Sequence, residues 1–106
     1  MRLVGRRHGV PYALQEPVLD RLVIQSGKLH RKILTLDAED HPVGGQLMGA
    51  DPGRLAEAAS VMAASGFDVI DINFACPVRK VLGRCRGGYL LSQVDTALEI
   101  VSTVRE

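Results

Sequence analysis

Cysteine is scarce in this sequence, because the 106 residues contain only Cys76 and Cys85. Two cysteines are too few for the framework of a disulfide-stapled extracellular module, and no secretory leader is recognisable. We therefore expect a cytoplasmic location. Long apolar runs are also missing, since none approaches the roughly 20 residues that a bilayer-spanning helix requires. This absence excludes a membrane span.

An excess of charge of one sign is absent as well, because the formal net charge is +1. Bulk charge therefore predicts no polyanionic partner. The nucleotide-binding signatures GxGxxG and GxxxxGK[ST] do not occur. Eight residues separate the two cysteines, which matches neither a CxxC redox pair nor a pair of zinc ligands. Metal binding through His30 or His41 is not expected.

What is present is the composition of an ordinary globular chain, with 46% hydrophobic and 24% charged residues. Helical and extended patterns alternate along it. Helices are predicted at residues 2–9, around Leu29 and Ile33, after Asp51 and after Ser92. Strands are predicted within residues 11–16, 43–49 and 67–73, and the first should end at Glu16 because Pro17 cannot continue a central ladder. This order predicts an α/β fold with parallel strands.

The two longest helices carry the clearest signals. The first begins with Asp51 as its N-cap and ends at Gly66, and its apolar residues recur at helical spacing. The second begins at Ser92, which with Asp95 resembles a capping box. The residues predicted to face the core are Leu55, Ala58, Ala59 and Met62 in the first helix and Val94, Ala97, Leu98 and Val101 in the second. The strand FDVIDIN is apolar on both faces of its centre, which favours a sheet covered on both sides.

The residues that end the predicted strands are polar, and in α/β proteins this edge of the sheet binds ligands. We expect Glu16, Gln46, Asn73 and Cys76 to converge there. Cys76 is either a small buried side chain or a reactive thiol. Four cations follow it, and they either favour a thiolate and hold a polyanion or belong to a solvated loop: Arg79, Lys80, Arg84 and Arg86.

Other residues near this edge have two readings each. Gly87 and Gly88 form either a turn or a loop that contacts phosphate. Asp68 and Asp71 alternate with apolar residues, so that a structural role at the strand start is at least as plausible as catalysis. Cys85 is interpreted as a bystander in the loop.

Several segments resemble the tRNA-dihydrouridine synthases, flavoenzymes built on a (β/α) barrel followed by a helical domain. YALQE resembles their second strand, HPVGGQLMGADP their third, and GFDVIDINFACPVRKV their fourth strand with its catalytic loop. GRCRGGYLL resembles the glycine-containing segment that follows. The pattern N-x-x-C-P followed by KV is the most specific part. Ala75 and Tyr89 depart from the family pattern, which has glycine and a small residue there.

The resemblance implies a reaction in which NADPH reduces bound FMN and FMN gives a hydride to a uracil in tRNA. Cys76 would be the general acid that donates the proton. Gln46 and Asn73 would bind the flavin, and Asn73 would also contact the flipped-out uracil. Residues implied to bind the tRNA substrate further include Glu16, Arg79, Lys80, Arg84 and Arg86. No metal is implied.

The resemblance also implies that residues 1–106 form an incomplete FMN-binding barrel domain, a partial TIM barrel that lacks the N-terminal strand and the C-terminal half. Two alternatives stay open. A dihydroorotate-dehydrogenase-like FMN enzyme would act on a small free pyrimidine, which gives no reason for the cations after Cys76. A non-catalytic truncated half barrel would expose apolar edges and self-associate.

Overall fold

The computed structural model describes residues 1–106. Its helices are α1 (Arg2–Arg7), α2 (Asp20–Ile24), α3 (Lys28–Leu34), α4 (Pro52–Ala64), α5 (Arg79–Leu82) and α6 (Val94–Arg105), and short 3₁₀ helices span Ala38–Asp40 and Gly87–Ser92. Its strands are β1 (Ala13–Leu14), β2 (Val18–Leu19), β3 (Val43–Met48) and β4 (Val69–Ile72). None of the helices is long and apolar enough to cross a bilayer.

All the strands run parallel around β3. β4 pairs along one side of β3, whereas β1 and β2 pair in succession along its other side. β1 and β2 are therefore two parts of one interrupted edge strand. The alternation of parallel strands with helices confirms the predicted α/β fold.

The prediction that the first strand ends at Glu16 is wrong, because the chain pairs with β3 again beyond Pro17. Leu14 lies opposite Gly44 and Val18 opposite Leu47, so four steps along the edge strand match three along β3. This mismatch is a β-bulge with one extra residue. Pro17 has no backbone N–H to donate to the ladder. It lies in the bulge between β1 and β2, outside the residues that pair with β3.

The core lies between the sheet and the helices on one of its faces. Val43 and Leu47 project from β3 and are fully buried, as are Leu55 and Met62 of α4. Gly45 permits this close packing, because a Cβ there would lie 2.3 Å from Cε of Met62. Gly45 therefore lets the side chain of Met62 pack directly over the backbone of β3.

The opposite face of the sheet is open, which corrects the prediction of a sheet covered on both sides. Ile70 and Ile72 of β4 pack against the core, but Val69 is 48% exposed and Asp71 is half buried. Because side chains alternate along a strand, Ile70 and Ile72 lie on one face of the sheet and Val69 and Asp71 lie on the other. Apolar residues on both faces of β4 thus do not mean that helices cover both.

Helix α4 follows the prediction closely. The N–H of Arg54 donates to Oδ1 of Asp51 at 2.8 Å, and Gly66 has a φ of +101° just past the end of the helix. Its four predicted core residues are buried. By contrast, α2 was not predicted, because five residues are too short to show a helical period.

Helix α6 forms where predicted but turns a different face to the core. Ile100 is fully buried, whereas Leu98 is 63% exposed; the exposed apolar residues of the predicted stripe are Val94, Leu98 and Val101. The predicted capping box is also absent, since Gln93 is the N-cap and the hydroxyl of Ser92 donates to the carbonyl of Tyr89 at 2.7 Å. α6 has two apolar faces, and only the one against α4 is covered.

Candidate active-site cluster at the carboxyl edge of the sheet

A hydrogen-bonded cluster of polar side chains lies on the open face of the sheet. Gln46 of β3 and Asp71 of β4 are register partners, so their side chains project from the same face. Nε2 of Gln46 donates to Oδ2 of Asp71, and Nδ2 of Asn73 donates to Oε1 of Gln46 at 3.2 Å. All three side chains are half buried. The side-chain amide of Gln46 thereby joins the carboxyl ends of β3 and β4.

Asn73 connects this cluster to Cys76. Its Oδ1 accepts the backbone N–H groups of Ala75 at 3.1 Å and of Cys76 at 3.0 Å. Because Oδ1 must face those donors, the side-chain amide can only point its Nδ2 group towards Gln46. The two predicted cofactor-binding residues and Cys76 therefore belong to one network.

The glycine pair packs directly against Cys76. The N–H of Gly88 donates to the carbonyl of Cys76 at 3.0 Å. Gly87 has a φ of +57°, and a Cβ there would lie 2.9 Å from Cβ of Cys76. Gly87 and Gly88 begin the 3₁₀ helix Gly87–Ser92 and support the backbone of Cys76 from behind.

The two cysteines differ in their surroundings, and both are free thiols. Cys76 is half buried between the Asn73 turn and the glycine pair, whereas Cys85 is exposed. No group of three or more His, Cys, Asp or Glu side chains has an arrangement suited to a metal ion. The chemistry available at this edge is therefore that of a thiol beside amides and one carboxylate.

Three of the four predicted cations share a cavity beyond Cys76. Lys80, Arg84 and Arg86 line a space of about 260 Å³ together with Met48, which ends β3. Arg79 belongs to the same helix as Lys80 but does not line this cavity. Arg21 of α2 is a further cation at the same cavity, and the sequence offered no signal for it without the helix that carries it.

Glu16 is not brought together with these residues. It lies in the bulge between β1 and β2, where it lines a cavity of about 500 Å³ with Gln15 and Lys32. Its side chain has no hydrogen bond to Gln46 or Asn73. The bulge directs this carboxylate towards α3 instead of the open face.

The sequence left a structural and a catalytic role open for Asp68 and Asp71, and the structure places these two residues differently. Oδ2 of Asp68 accepts the N–H of Val43 at 2.7 Å and contacts Nδ1 of His41 at 2.8 Å, which holds the pKa of Asp68 below its ordinary value. Asp68 thus ties together the starts of β3 and β4. Asp71 instead belongs to the cluster, which only the strand register could reveal.

Comparison with known proteins identifies relatives over the whole chain. A family model described as dihydrouridine synthase (Dus) matches residues 1–106. A tRNA-dihydrouridine synthase B of Pseudomonas aeruginosa is 35% identical over 103 residues, which are 97% of this chain and 31% of the relative. A probable tRNA-dihydrouridine synthase 1 of Synechocystis sp. is 34% identical, with 96% of this chain and 30% of the relative covered. The chain thus spans about a third of the length of these relatives.

Proposed function

Because the chain belongs to the dihydrouridine synthase family, whose fold makes it a partial (β/α) barrel, we propose that it contributes to the reduction of uridine to dihydrouridine in tRNA. The observation that carries this proposal is the network of Gln46, Asp71, Asn73 and Cys76 on the open face. In a complete (β/α) barrel the inward-facing residues at the carboxyl ends of the strands form the active site. The network occupies that position.

The residues present fit one edge of a flavin ring. Gln46 and Asn73 are half buried, and each carboxamide nitrogen keeps a second N–H beyond the one used in the network. Such groups suit the alternating donors and acceptors at the rim of a flat heterocycle. When bound and reduced by NADPH, FMN would supply the hydride.

Cys76 is the proposed general acid. Its thiol donates a proton to the carbon of the uracil next to the one that accepts the hydride, so that one double bond is reduced and the thiol becomes a thiolate. Asn73 positions Cys76 by accepting its backbone N–H, and Gly88 holds the carbonyl on the other side. These two contacts fix the backbone that aims the thiol.

Contacts to tRNA are proposed for the cations after Cys76 and for Glu16. Arg79, Lys80, Arg84 and Arg86 make no ion pair within the chain, although 12 acidic residues are available. Unpaired cations at a substrate edge favour a polynucleotide over the free pyrimidine of a dihydroorotate dehydrogenase. Glu16 is proposed as a tRNA contact by family membership alone, because it lies in the bulge, apart from the cluster and the cations.

We also propose that residues 1–106 are an incomplete FMN-binding barrel domain, which does not retain flavin tightly by itself. The open face of the sheet supports this, because its polar cluster lacks the facing strands that would enclose a cofactor. FMN, NADPH and tRNA added to the chain should therefore yield no dihydrouridine by mass spectrometry. Formation of dihydrouridine would contradict incompleteness but not the assigned chemistry.

The assignment of the site is tested by thiol labelling, in which Cys85 gives a second readout. Unmodified tRNA should slow the alkylation of Cys76 by iodoacetamide, and the rate at Cys85 reports whether tRNA also covers the loop that carries Arg84 and Arg86. Peptide mass spectrometry measures both rates in one sample. Equal rates at Cys76 with and without tRNA would refute a tRNA site at this edge.

A further inference from the structure

The cavity beyond Cys76 is lined by an unusual set of charges. Four cations surround it, from two separate parts of the chain: Arg21, Lys80, Arg84 and Arg86. No carboxylate is among its lining residues, and Met48 and Val81 provide apolar surface between the charges. A concave surface with charges of one sign concentrates its field and attracts the opposite charge.

These four cations contrast with the arginines that pair with carboxylates elsewhere in the chain. Arg2 pairs with Asp40 at 2.9 Å, and Arg7 pairs with Glu39 at 3.0 Å. None of the four cavity cations has an ion pair or a side-chain hydrogen bond within the chain. A solvated loop would scatter its charges, whereas here two segments bring theirs to one cavity.

The fold places the two segments together by specific local geometry. Arg21 lies in α2, which begins directly after β2, and its backbone N–H donates to Oδ1 of the buried Asp20 at 2.7 Å. Cys85 adopts a φ of +56° between Arg84 and Arg86. This left-handed residue turns the chain so that both arginines line the cavity while the thiol between them is exposed.

We propose that this cavity binds a backbone phosphate of RNA next to the nucleotide that reaches Cys76, and that Arg21 is one of its ligands. Its volume of about 260 Å³ is below the range of roughly 300–1,000 Å³ for pockets that enclose a whole small molecule. Guanidinium groups suit phosphate oxygens, which they bind in pairs. The proposal rests on the tRNA function above and adds a phosphate site that includes a residue outside the catalytic loop.

The test compares matched arginine variants of the full chain in tRNA binding over a potassium chloride series. Arg21→Gln and Arg84→Gln remove cavity charges, whereas Arg31→Gln removes an exposed arginine that neither lines the cavity nor is a proposed tRNA contact. Each cavity variant should reduce the slope of log affinity against log salt by about 0.7 to 1. Arg31→Gln should leave the slope unchanged, and Arg21→Lys should retain it. Circular dichroism confirms that each variant is folded.

The outcomes separate this inference from the proposed function. If tRNA still protects Cys76 from alkylation but Arg21→Gln leaves the salt slope unchanged, the phosphate site is refuted and the tRNA function stands. If an unrelated single-stranded RNA gives the same Arg21-dependent slope while tRNA does not protect Cys76, the phosphate site stands and the tRNA function fails. Inorganic phosphate can also be added at a concentration equal to that of the tRNA phosphate groups. If it displaced bound tRNA, the assignment of the cavity to a phosphate of the RNA backbone would be overturned.

Discussion

The two edges of the sheet use their charged residues in opposite ways. At the amino edge, carboxylates meet cations: Arg2 bonds Asp40, Arg7 bonds Glu39, and His41 contacts Asp68. At the carboxyl edge, the cations around Met48 have no partner, and Cys76 sits in a turn held by Asn73. Neutralised charges stabilise the folded chain, whereas unpaired ones are available to a ligand. The comparison therefore assigns stability to one edge and binding to the other.

Acidification should produce the largest effect, because it discharges the whole amino edge at once. Hydrogen bonds from Arg2, from Arg7 and from the N–H of Val43 lower the pKa values of Asp40, Glu39 and Asp68, respectively. A lowered folded-state pKa means stability that is present above the ordinary values of 3.8 for Asp and 4.5 for Glu and is lost as the pH falls through the folded-state values. The melting temperature should therefore fall steeply on acidification. A melting temperature independent of pH down to about pH 3 would contradict this.

Asp40→Ala should break the amino edge at neutral pH. Asp40 is only 2% exposed and accepts hydrogen bonds from Arg2 and from the N–H of Asp37. Its removal leaves these donors without a partner, and we expect the free energy of unfolding to fall by about 2 to 3 kcal/mol. Urea unfolding measures this, and Glu57→Ala on the exposed face of α4 should change it by less than about 0.5 kcal/mol.

Gly87→Ala should damage the carboxyl edge by crowding. The new Cβ would lie 2.9 Å from Cβ of Cys76, in a residue with a φ of +57°. We expect a loss of about 1 to 2 kcal/mol in urea unfolding and a changed alkylation rate at Cys76. Gly53→Ala is the matched control, because its Cβ would meet nothing closer than 3.5 Å. An unchanged rate at Cys76 would show that the glycine pair does not support the thiol.

Asn73→Ala should have the smallest effect on stability and a clear one on the thiol. The variant removes the acceptor for Ala75 and Cys76 and the donor to Gln46, at half-buried positions. We expect a loss of about 1 kcal/mol and a several-fold faster alkylation of Cys76, since the turn is no longer held. Cys85 is the internal control. An unchanged alkylation rate at Cys76 would show that Asn73 does not hold the turn around this thiol.

Features with short-range causes could be predicted from the sequence. Asp51, Pro52 and Gly66 set the limits of α4 through contacts within a few residues, and the strand at 43–49 followed from its apolar run and glycines. The position of Cys76 just past a strand end was predicted in the same way. These signals lie in the local chain, so no tertiary information was required.

Features that depend on pairing between distant segments could not be predicted. Asp71 joins the cluster only because it lies opposite Gln46, and Arg21 reaches the cavity only because β2 pairs again after Pro17. The apolar stripe of α6 was misassigned for the same reason, since α4 selects the face with Ile100. Periodicity shows that a face is apolar but not which neighbour covers it.

The bulge at residues 15–17 has a consequence for how this chain tolerates insertions and deletions. Since side chains alternate along a strand, deleting the one extra residue would give a regular ladder in which Val18 still lies opposite Leu47. Asp20 would then keep its buried position, and Arg21 would keep its place at the cavity. The loss of one residue from this surface segment should therefore be tolerated, whereas the loss of a second would exchange the faces of Val18 and Leu19.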